Sequence, residues 1–294
     1  MKITVIITNW NGLALLKKYF LEIVNNSPEA DEIIFTDDAS SDKSVAYVKN
    51  LQKSSASWRT KLKIIANKKN KGFGENTNNA VKKSTGDLIV LLNNDIRPHK
   101  GYITACLHHF KDPNVFGVGF AELGHENWAR IFWDKGYLQH EPGKTNDKTH
   151  ISAWVSGGSS IIRKDYFLKL GGFDAVYAPF YCEDLDLGLR AWKSGYTLLW
   201  EPKAIVEHKH ESTISKFPKR LLDYVKERNR LLTILRNITD NKLLKSNYYA
   251  RIGRIFSGPN YYKIIRAANK QIKHNPPPIV FRVLTDTEIL KLFQ

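Results

Sequence analysis

A chain of 294 residues is long enough to bury a substantial core, and 42% hydrophobic with 25% charged residues is the balance of an ordinary globular protein. Two cysteines, Cys106 and Cys182, are too few for a disulfide framework and lack metal-ligand spacing, so both are expected as buried free thiols. The net charge of +16 is unevenly spread: residues 214–294 hold 17 Lys/Arg against 5 Asp/Glu, a surplus of +12, leaving only +4 for residues 1–213. No apolar run approaches the ~20 residues needed to span a bilayer. The N-terminus, MKITVIITNW, breaks at Asn9 before a signal-like hydrophobic region develops, and a cytoplasmic location is expected.

Residues 2–8 read as an apolar strand, and residues 13–25 carry Leu13, Leu16, Phe20 and Ile23 at helical spacing. A second strand at 32–36 is followed by a polar turn, 37–42, in which Ser41 or Asp42 can cap a helix reaching about residue 53. Strand, helix, strand, helix in so short a stretch is the alternation of a parallel, doubly wound sheet. A third strand at 61–66 leads through a loop into a helix at 72–83. The next run, 88–92, is apolar throughout, as a strand buried on both faces should be, and ends abruptly in Asn93, Asn94 and Asp95. Pro98 is expected to start a helix reaching about residue 110, before a strand at 115–121.

From 122 to 149 the periodicity is lost, and a loop or lid is expected. Residues 152–163 read as a strand interrupted by Gly157 and Gly158, where backbone should approach a ligand or another strand closely. A short helix at 165–170 is stopped by Gly171-Gly172, a helix runs from 181 to 193, and two short strands follow at 196–200 and 204–207. After Ser212 the chain turns helical and basic, with breaks at Gly258-Pro259 and at 276–278. That basic tail suits an anionic membrane surface or nucleic acid, or is simply a solvated helical face.

Four polar clusters fall at strand ends or helix starts, where a doubly wound sheet places its ligands. In Thr8-Asn9-Trp10-Asn11 the indole can stack on a flat base, or serve the core. Asp37-Asp38 can accept from a base imide or a ribose hydroxyl, or cap a turn. The amides and carboxylate of Asn93-Asn94-Asp95 suit a hard divalent cation shared with a phosphate, or form a polar turn. Glu183, Asp184 and Asp186 crowd three carboxylates into one helical turn, which makes at least one a candidate base, unless Asp186 pairs with Arg190. His208 can be a metal ligand or a structural histidine.

In order, TNWN, DDASSD, NKGFGENTNNA, LLNND, GGFD, ED-x-D-L and EP-x5-H resemble a glycosyltransferase of family 2 with the GT-A fold, over about residues 2–213. Arg228-Asn229 in a basic helix resembles the tail of many bacterial members. The resemblance implies a GT-A nucleotide-sugar-binding and catalytic domain at 1–213: an α/β fold with a mostly parallel, doubly wound sheet and helices on both faces. Residues 214–294 would be a basic, mainly helical extension. It further implies that Thr8, Trp10, Asn11, Asp37 and Asp38 hold base and ribose, with Gly72, Asn78, Asn93 and Asn94 also beside the nucleotide. Asp95 and His208 would hold a divalent metal, Mn2+ or Mg2+. Asp184 matches the catalytic base, with Glu183 and Asp186 in the same catalytic cluster.

Asn93 departs from the strict Asp-x-Asp motif and would hold the metal more weakly. The implied activity is inverting transfer from a nucleoside diphosphate sugar, UDP favoured and dTDP or GDP alternatives, to a glycan or lipid-linked acceptor in surface polysaccharide or glycolipid synthesis. Such an enzyme would sit at the inner face of the membrane. A nucleotidyltransferase or a Rossmann dehydrogenase is disfavoured, because TNWNGLALLKK has one glycine, no arginine and no G-x-G-x-x-G. A non-catalytic membrane- or nucleic-acid-binding protein explains the tail but gives the ordered carboxylates no role.

Overall fold

A computed structural model describes residues 1–55, 58, 60–124, 128–144, 146–208, 218–258, 260–278 and 281–294. Strands β1 (Ile3–Asn9), β2 (Glu32–Asp37), β3 (Leu62–Ala66) and β4 (Leu88–Asn93) pair in parallel in the order β3-β2-β1-β4. Helices α1 (Leu13–Asn25), α2 (Ser44–Ser54) and α3 (Phe73–Lys83) make the crossovers. β1 is buried along its whole length, as a central parallel strand covered on both faces must be. Its side chains alternate between two cores: Val5 and Ile7 join Phe20, Ile23 and Phe35 on one face, while Ile6 joins Ile34, Ile89 and Leu91 on the other.

The sheet continues past β4 through β10 (Ser159–Arg163), β6 (Val115–Glu122), β11 (Thr197–His208) and β5 (Ile96–Pro98). β11 runs parallel to β6, whereas β10 lies antiparallel between β4 and β6. The parallel sheet therefore carries an antiparallel insertion. Pro98 ends β5 rather than starting a helix; Gly101, in the left-handed region at φ 80°, turns the chain into α4 (Tyr102–Leu107). The stretch read as a loop or lid contains a hairpin, β7 (Ala129–Asp134) with β8 (Tyr137–Pro142), turned at Lys135-Gly136 where both residues have positive φ. The strand expected at 152–163 is a two-residue β9 (His150–Ile151) and the separate β10, and the two short strands at 196–207 are one strand with a register shift between Glu201 and Ile205.

After α5 (Lys164–Lys169) comes α6 (Glu183–Lys193), which starts two residues later than its periodicity suggests. The last described stretches hold α7 (Lys219–Asn237), α8 (Asn241–Ser257), α9 (Tyr261–His274) and α10 (Asp286–Lys291). These helices are tied to the sheet region by polar contacts: Arg236 to Asp174, Lys193 Nζ to Asp286 Oδ1 at 2.6 Å, and Asn247 Nδ2 to Gly136 O at 2.8 Å. The expected boundary at Thr213 and the break at Pro259 lie outside the described residues. Cys106 is buried and Cys182 half-buried, both as free thiols. Among the described residues no helix is long and apolar enough to cross a membrane.

Candidate active site

The order of strands reverses between β1 and β4, and in such sheets the crevice beyond the strand ends binds ligands. Register brings the sequence clusters together there: Thr8 stands beside Asn93, and Asn9 beside Asp37. A cleft of about 380 Å³ opens at this point, lined by Thr8, Trp10, Asp38, Asp95 and, from the other wall, Glu183 and Asp184. Gly72, Asn93 and Asn94 also line it.

The polar floor is a hydrogen-bonded lattice. Thr8 Oγ1 donates to Asn93 Oδ1 at 3.0 Å, and Asn94 Nδ2 donates to Asn9 Oδ1 at 2.6 Å. Asn9 Nδ2 donates in turn to Asp37 Oδ2 at 2.7 Å. Glycine is required where these side chains meet backbone. A Cβ at Gly158 would fall 2.3 Å from the Asn93 amide nitrogen, and one at Gly12 would fall 2.0 Å from that of Asn94. The close approach expected at Gly157-Gly158 is thus made to the amide of Asn93. That amide is engaged with Thr8, which leaves Asp95 as the carboxylate of the cluster.

Several predicted residues build the site without lining it. Asp37 is buried and spends its oxygens on Asn9, the Ser40 hydroxyl at 2.6 Å and the Ser40 N–H at 2.9 Å, so it holds the turn after β2. Asn11 accepts from the Ser41 N–H at 2.8 Å and braces the same turn. Asn78 exchanges two hydrogen bonds with the backbone of Phe173, at 2.7 and 2.9 Å, and clamps α3 to the GGFD segment. Asp186 lies away from the cleft: buried, it accepts from Arg190 Nε at 2.8 Å and Nη2 at 2.6 Å, from Tyr177 Oη at 2.9 Å and from Asn237 Nδ2 at 2.7 Å. With both oxygens so engaged, Asp186 is a structural partner of Arg190 and is removed from the catalytic set.

Asp38 lines the cleft and organises it. Its carboxylate accepts from the backbone N–H of Lys71 at 2.9 Å and of Gly72 at 2.8 Å, fixing the loop before α3. Asn76, which sequence reasoning passed over, also lines the cleft and accepts from Thr36 Oγ1 at 2.7 Å.

His208, at the end of β11, sits between two carboxylates: Nε2 is 3.2 Å from Asp95 Oδ1, and Nδ1 is 3.0 Å from Glu122 Oε2. Burial pulls the imidazole's pKa down, but the two carboxylates together outweigh it and raise the value to about 9. Asp95 is 2% exposed, and its Oδ1 faces the His208 imidazole. A carboxylate oxygen and an imidazole nitrogen that converge beside the cleft form a donor set suited to a divalent metal, which would take the place of the imidazole proton between them. Glu122 was missed because it looked like the first residue of a loop; it is the last of β6, and only the sheet order carries it to His208.

The opposite wall is aimed by strained backbone. Tyr181 and Cys182 have φ of 73° and 74°, a costly conformation for such residues, immediately before Glu183 opens α6. Asn229 on α7 holds that turn, donating to the carbonyls of Tyr177, Phe180 and Tyr181 at 2.7, 2.8 and 2.9 Å. Its neighbour Arg228 donates to Ala178 O at 2.5 Å. Burial raises Asp184 to about 6, opposed by the Leu185 N–H at the helix start. Burial and then the Asp184 charge raise Glu183 to about 8. Near neutrality the pair therefore holds one proton and one negative charge.

Residues 4–171 match the family described as Glycosyl transferase family 2, more than half of the chain. The chain belongs to that family. The family 2 chain is 22% identical to N-acetylgalactosaminyltransferase 7 of Drosophila melanogaster, covering 69% of this chain and 38% of that protein. It is 24% identical to the GalNAc(5)-diNAcBac-PP-undecaprenol beta-1,3-glucosyltransferase of Campylobacter jejuni, over 97% of this chain and 93% of that one. A further relative, from Macaca fascicularis and 27% identical, is an inactive polypeptide N-acetylgalactosaminyltransferase-like protein, of which this chain spans 45%. Among solved structures, GalNAc-T7 with UDP, GalNAc and Mn2+ superposes with a TM-score of 0.69 at 17% identity, over 94% of this chain and 55% of that one. S. aureus TarS 1-349 with UDP-GlcNAc gives 0.55 at 15% identity, over 94% and 82%. These likenesses establish the GT-A fold of the family 2 chain.

Proposed function

We propose that this chain is a metal-dependent inverting glycosyltransferase. It takes a sugar from a nucleoside diphosphate, UDP in the favoured case and dTDP or GDP otherwise, and gives it to an acceptor hydroxyl in surface polysaccharide or glycolipid synthesis. The observation that carries this reading is one cleft with two chemistries: Asp95 at the strand ends, backed by His208 at 3.2 Å, and the crowded Glu183-Asp184 pair on the facing helix start. Resemblance between sequences would not suffice, since an inactive relative is also similar.

Trp10, more than a third exposed, offers a face to the base, and Asp38 and Asn76 offer polar edges. Asp184, ionised above about pH 6, takes the proton of the acceptor hydroxyl while that oxygen bonds to the anomeric carbon. The bond from that carbon to the diphosphate oxygen breaks, its electron pair leaves with the nucleoside diphosphate, and attack from the far side inverts the centre. Asp95 and His208 would hold Mn2+ or Mg2+, which when bound neutralises charge on the leaving diphosphate. The Mn2+ present with UDP in the GalNAc-T7 structure supports that assignment.

A lipid-linked acceptor is supported by the undecaprenol in the name of the Campylobacter relative and by the face of α8. Tyr248, Tyr249, Ile255 and Phe256 are exposed there, Phe256 to 86%, beside the exposed Lys242 and Lys245. Aromatics flanked by cations suit the surface of an anionic membrane. Flotation of the full chain with anionic, but not zwitterionic, liposomes is expected; absence from both floating fractions removes the membrane reading.

A thermal-shift panel of nucleoside diphosphate sugars, with and without manganese, tests the main proposal. Stabilisation that needs both sugar nucleotide and metal, followed by nucleotide release, is expected. Steeply salt-dependent nucleic-acid binding with no sugar-nucleotide response would favour the non-catalytic alternative.

A further inference from the structure

Glu201 begins the EP-x5-H stretch that ends in His208, yet it does not line the cleft. It sits on β11 at the register shift between Glu201 and Ile205, a kind of irregularity that re-aims side chains. There it meets a single 3-10 turn, His108–Lys111, which follows α4 and is anchored by the buried Phe110. One donor atom each from His108, His109 and Glu201 lies within 4.8 Å of the other two. His109 and Glu201 are 92 positions apart in the chain, so only the docking of α4 on the sheet assembles this cluster.

The carboxylate is held in place. Glu201 is 3% exposed; its Oε2 accepts from Thr149 Oγ1 at 2.9 Å and faces His109 Nε2 at 2.7 Å, and its Oε1 accepts from the Lys203 N–H at 3.0 Å. Among the described residues its one ion-pair partner is His109, with no lysine or arginine side chain to neutralise it. The imidazoles of His108 and His109 lie against each other, 3.8 Å between centroids and 39° between planes. His108 is exposed, so its nitrogens are open to an incoming ion. A hydrogen bond from His109 to Glu201 is enough to seat the turn, but it gives His108 no task.

Two imidazoles and a carboxylate are the donor set of a borderline transition ion, and zinc takes such sets with a water in the fourth position. We propose that His108, His109 and Glu201 bind Zn2+ at a second metal site, apart from the cleft, which pins the turn after α4 to β11. Two donors on one tetrahedral Zn2+ stand about 3.4 Å apart. The His109–Glu201 pair therefore has to part slightly from 2.7 Å, the ion taking the place of the proton between them, while the exposed His108 ring closes in. Thr149 and the Lys203 N–H keep the carboxylate oriented, as outer hydrogen bonds do for metal-bound carboxylates. Mg2+, which favours oxygen ligands and water, is poorly served by two imidazoles. None of these residues lines the cleft, so the site is independent of the glycosyltransferase reading.

Equilibrium dialysis of the tag-free full chain, stripped with chelator and returned to Zn2+, tests this with Asp95→Ala and His208→Ala combined so that the cleft contributes no metal. One saturable equivalent of Zn2+ is expected, and Co2+ in its place should show the visible absorption of a four-coordinate ion. His108→Ala, a change at an exposed position, should weaken Zn2+ binding about tenfold or more. Zn2+ should raise the thermal unfolding midpoint where equal Mg2+ does not, and that rise should shrink in His108→Ala while its midpoint without metal stays that of the parent. If the doubly substituted parent does not fold, the wild-type chain reads the same quantity as the loss of one bound equivalent in His108→Ala. The assignment is overturned if no equivalent is retained, if His108→Ala binds Zn2+ as tightly as its parent, or if Mg2+ binds as well as Zn2+. No arm of the test reads sugar transfer, so a failure of the catalytic reading leaves its outcome untouched.

Discussion

Asp95 Oδ1 and His208 Nε2 approach to 3.2 Å at the ends of two strands that are not neighbours in the sheet, β4 and β11. The extension beyond β4 carries Asp95 to the short β5, which pairs with β11 at Ile96–His208 and so delivers the carboxylate to the imidazole. A three-residue strand therefore assembles the candidate metal site.

Asp95→Ala is expected to weaken binding of a nucleoside diphosphate sugar in the presence of Mn2+ and to change little in chelator. Calorimetric titration under both conditions checks this. An equal loss in chelator would make Asp95 a purely structural residue.

Glu122→Gln should lower Mn2+ affinity without removing a ligand. Its carboxylate sits 3.0 Å from His208 Nδ1, and loss of such an orienting partner typically costs about 10–100-fold in metal affinity. Paramagnetic relaxation of water by bound Mn2+ reads the change directly; unaltered affinity would leave Glu122 no such role.

Asp184→Asn should reduce transfer by about 10²–10⁴-fold while sugar-nucleotide binding persists. In the wild type the base works only when ionised, so the rate should rise with pH through about 6 and level off above it. Nucleotide release with a competent acceptor across that range is the assay.

Glu183 gives the opposite sign in stability. Its folded value of about 8 exceeds the ordinary carboxylate value of about 4.3, so the folded state binds more protons than the unfolded one between these limits. Stability conferred by the protonated form is therefore complete below about pH 4 and is lost as pH rises to about 8. Denaturation midpoints should fall over this window in the wild type, and less in Glu183→Gln.

Asp186→Ala and Asn78→Ala should act on folding rather than on nucleotide binding. Removing one partner of a buried ion pair typically costs about 3–5 kcal/mol, as expected for Asp186 beside Arg190. Leaving the Phe173 backbone groups unpaired costs about 1–3 kcal/mol, as expected for Asn78. Urea unfolding measures both, and in Asn78→Ala the affinity for UDP with Mn2+ should be close to that of the wild type.

The sequence by itself determined the crossover half of the fold and the positions of its polar clusters. Alternation of apolar strand and amphipathic helix is a local property, and ligand-facing residues must follow strand ends in such a sheet, so Thr8, Asp38 and Asp95 could be placed by counting along the chain. Local pattern could not separate residues that line the cleft from residues that brace it: Asp37 and Asp38 are adjacent, yet one closes a turn and the other faces the cavity. Only the tertiary structure made Asp186 an ion-pair partner, turned the aperiodic stretch after Glu122 into a tryptophan-lined hairpin cavity, and brought Asn229 under the strained turn before Glu183. Each of these depends on strand order and helix docking across long sequence separations. Periodicity reports which face of an element is buried, but not what it is buried against.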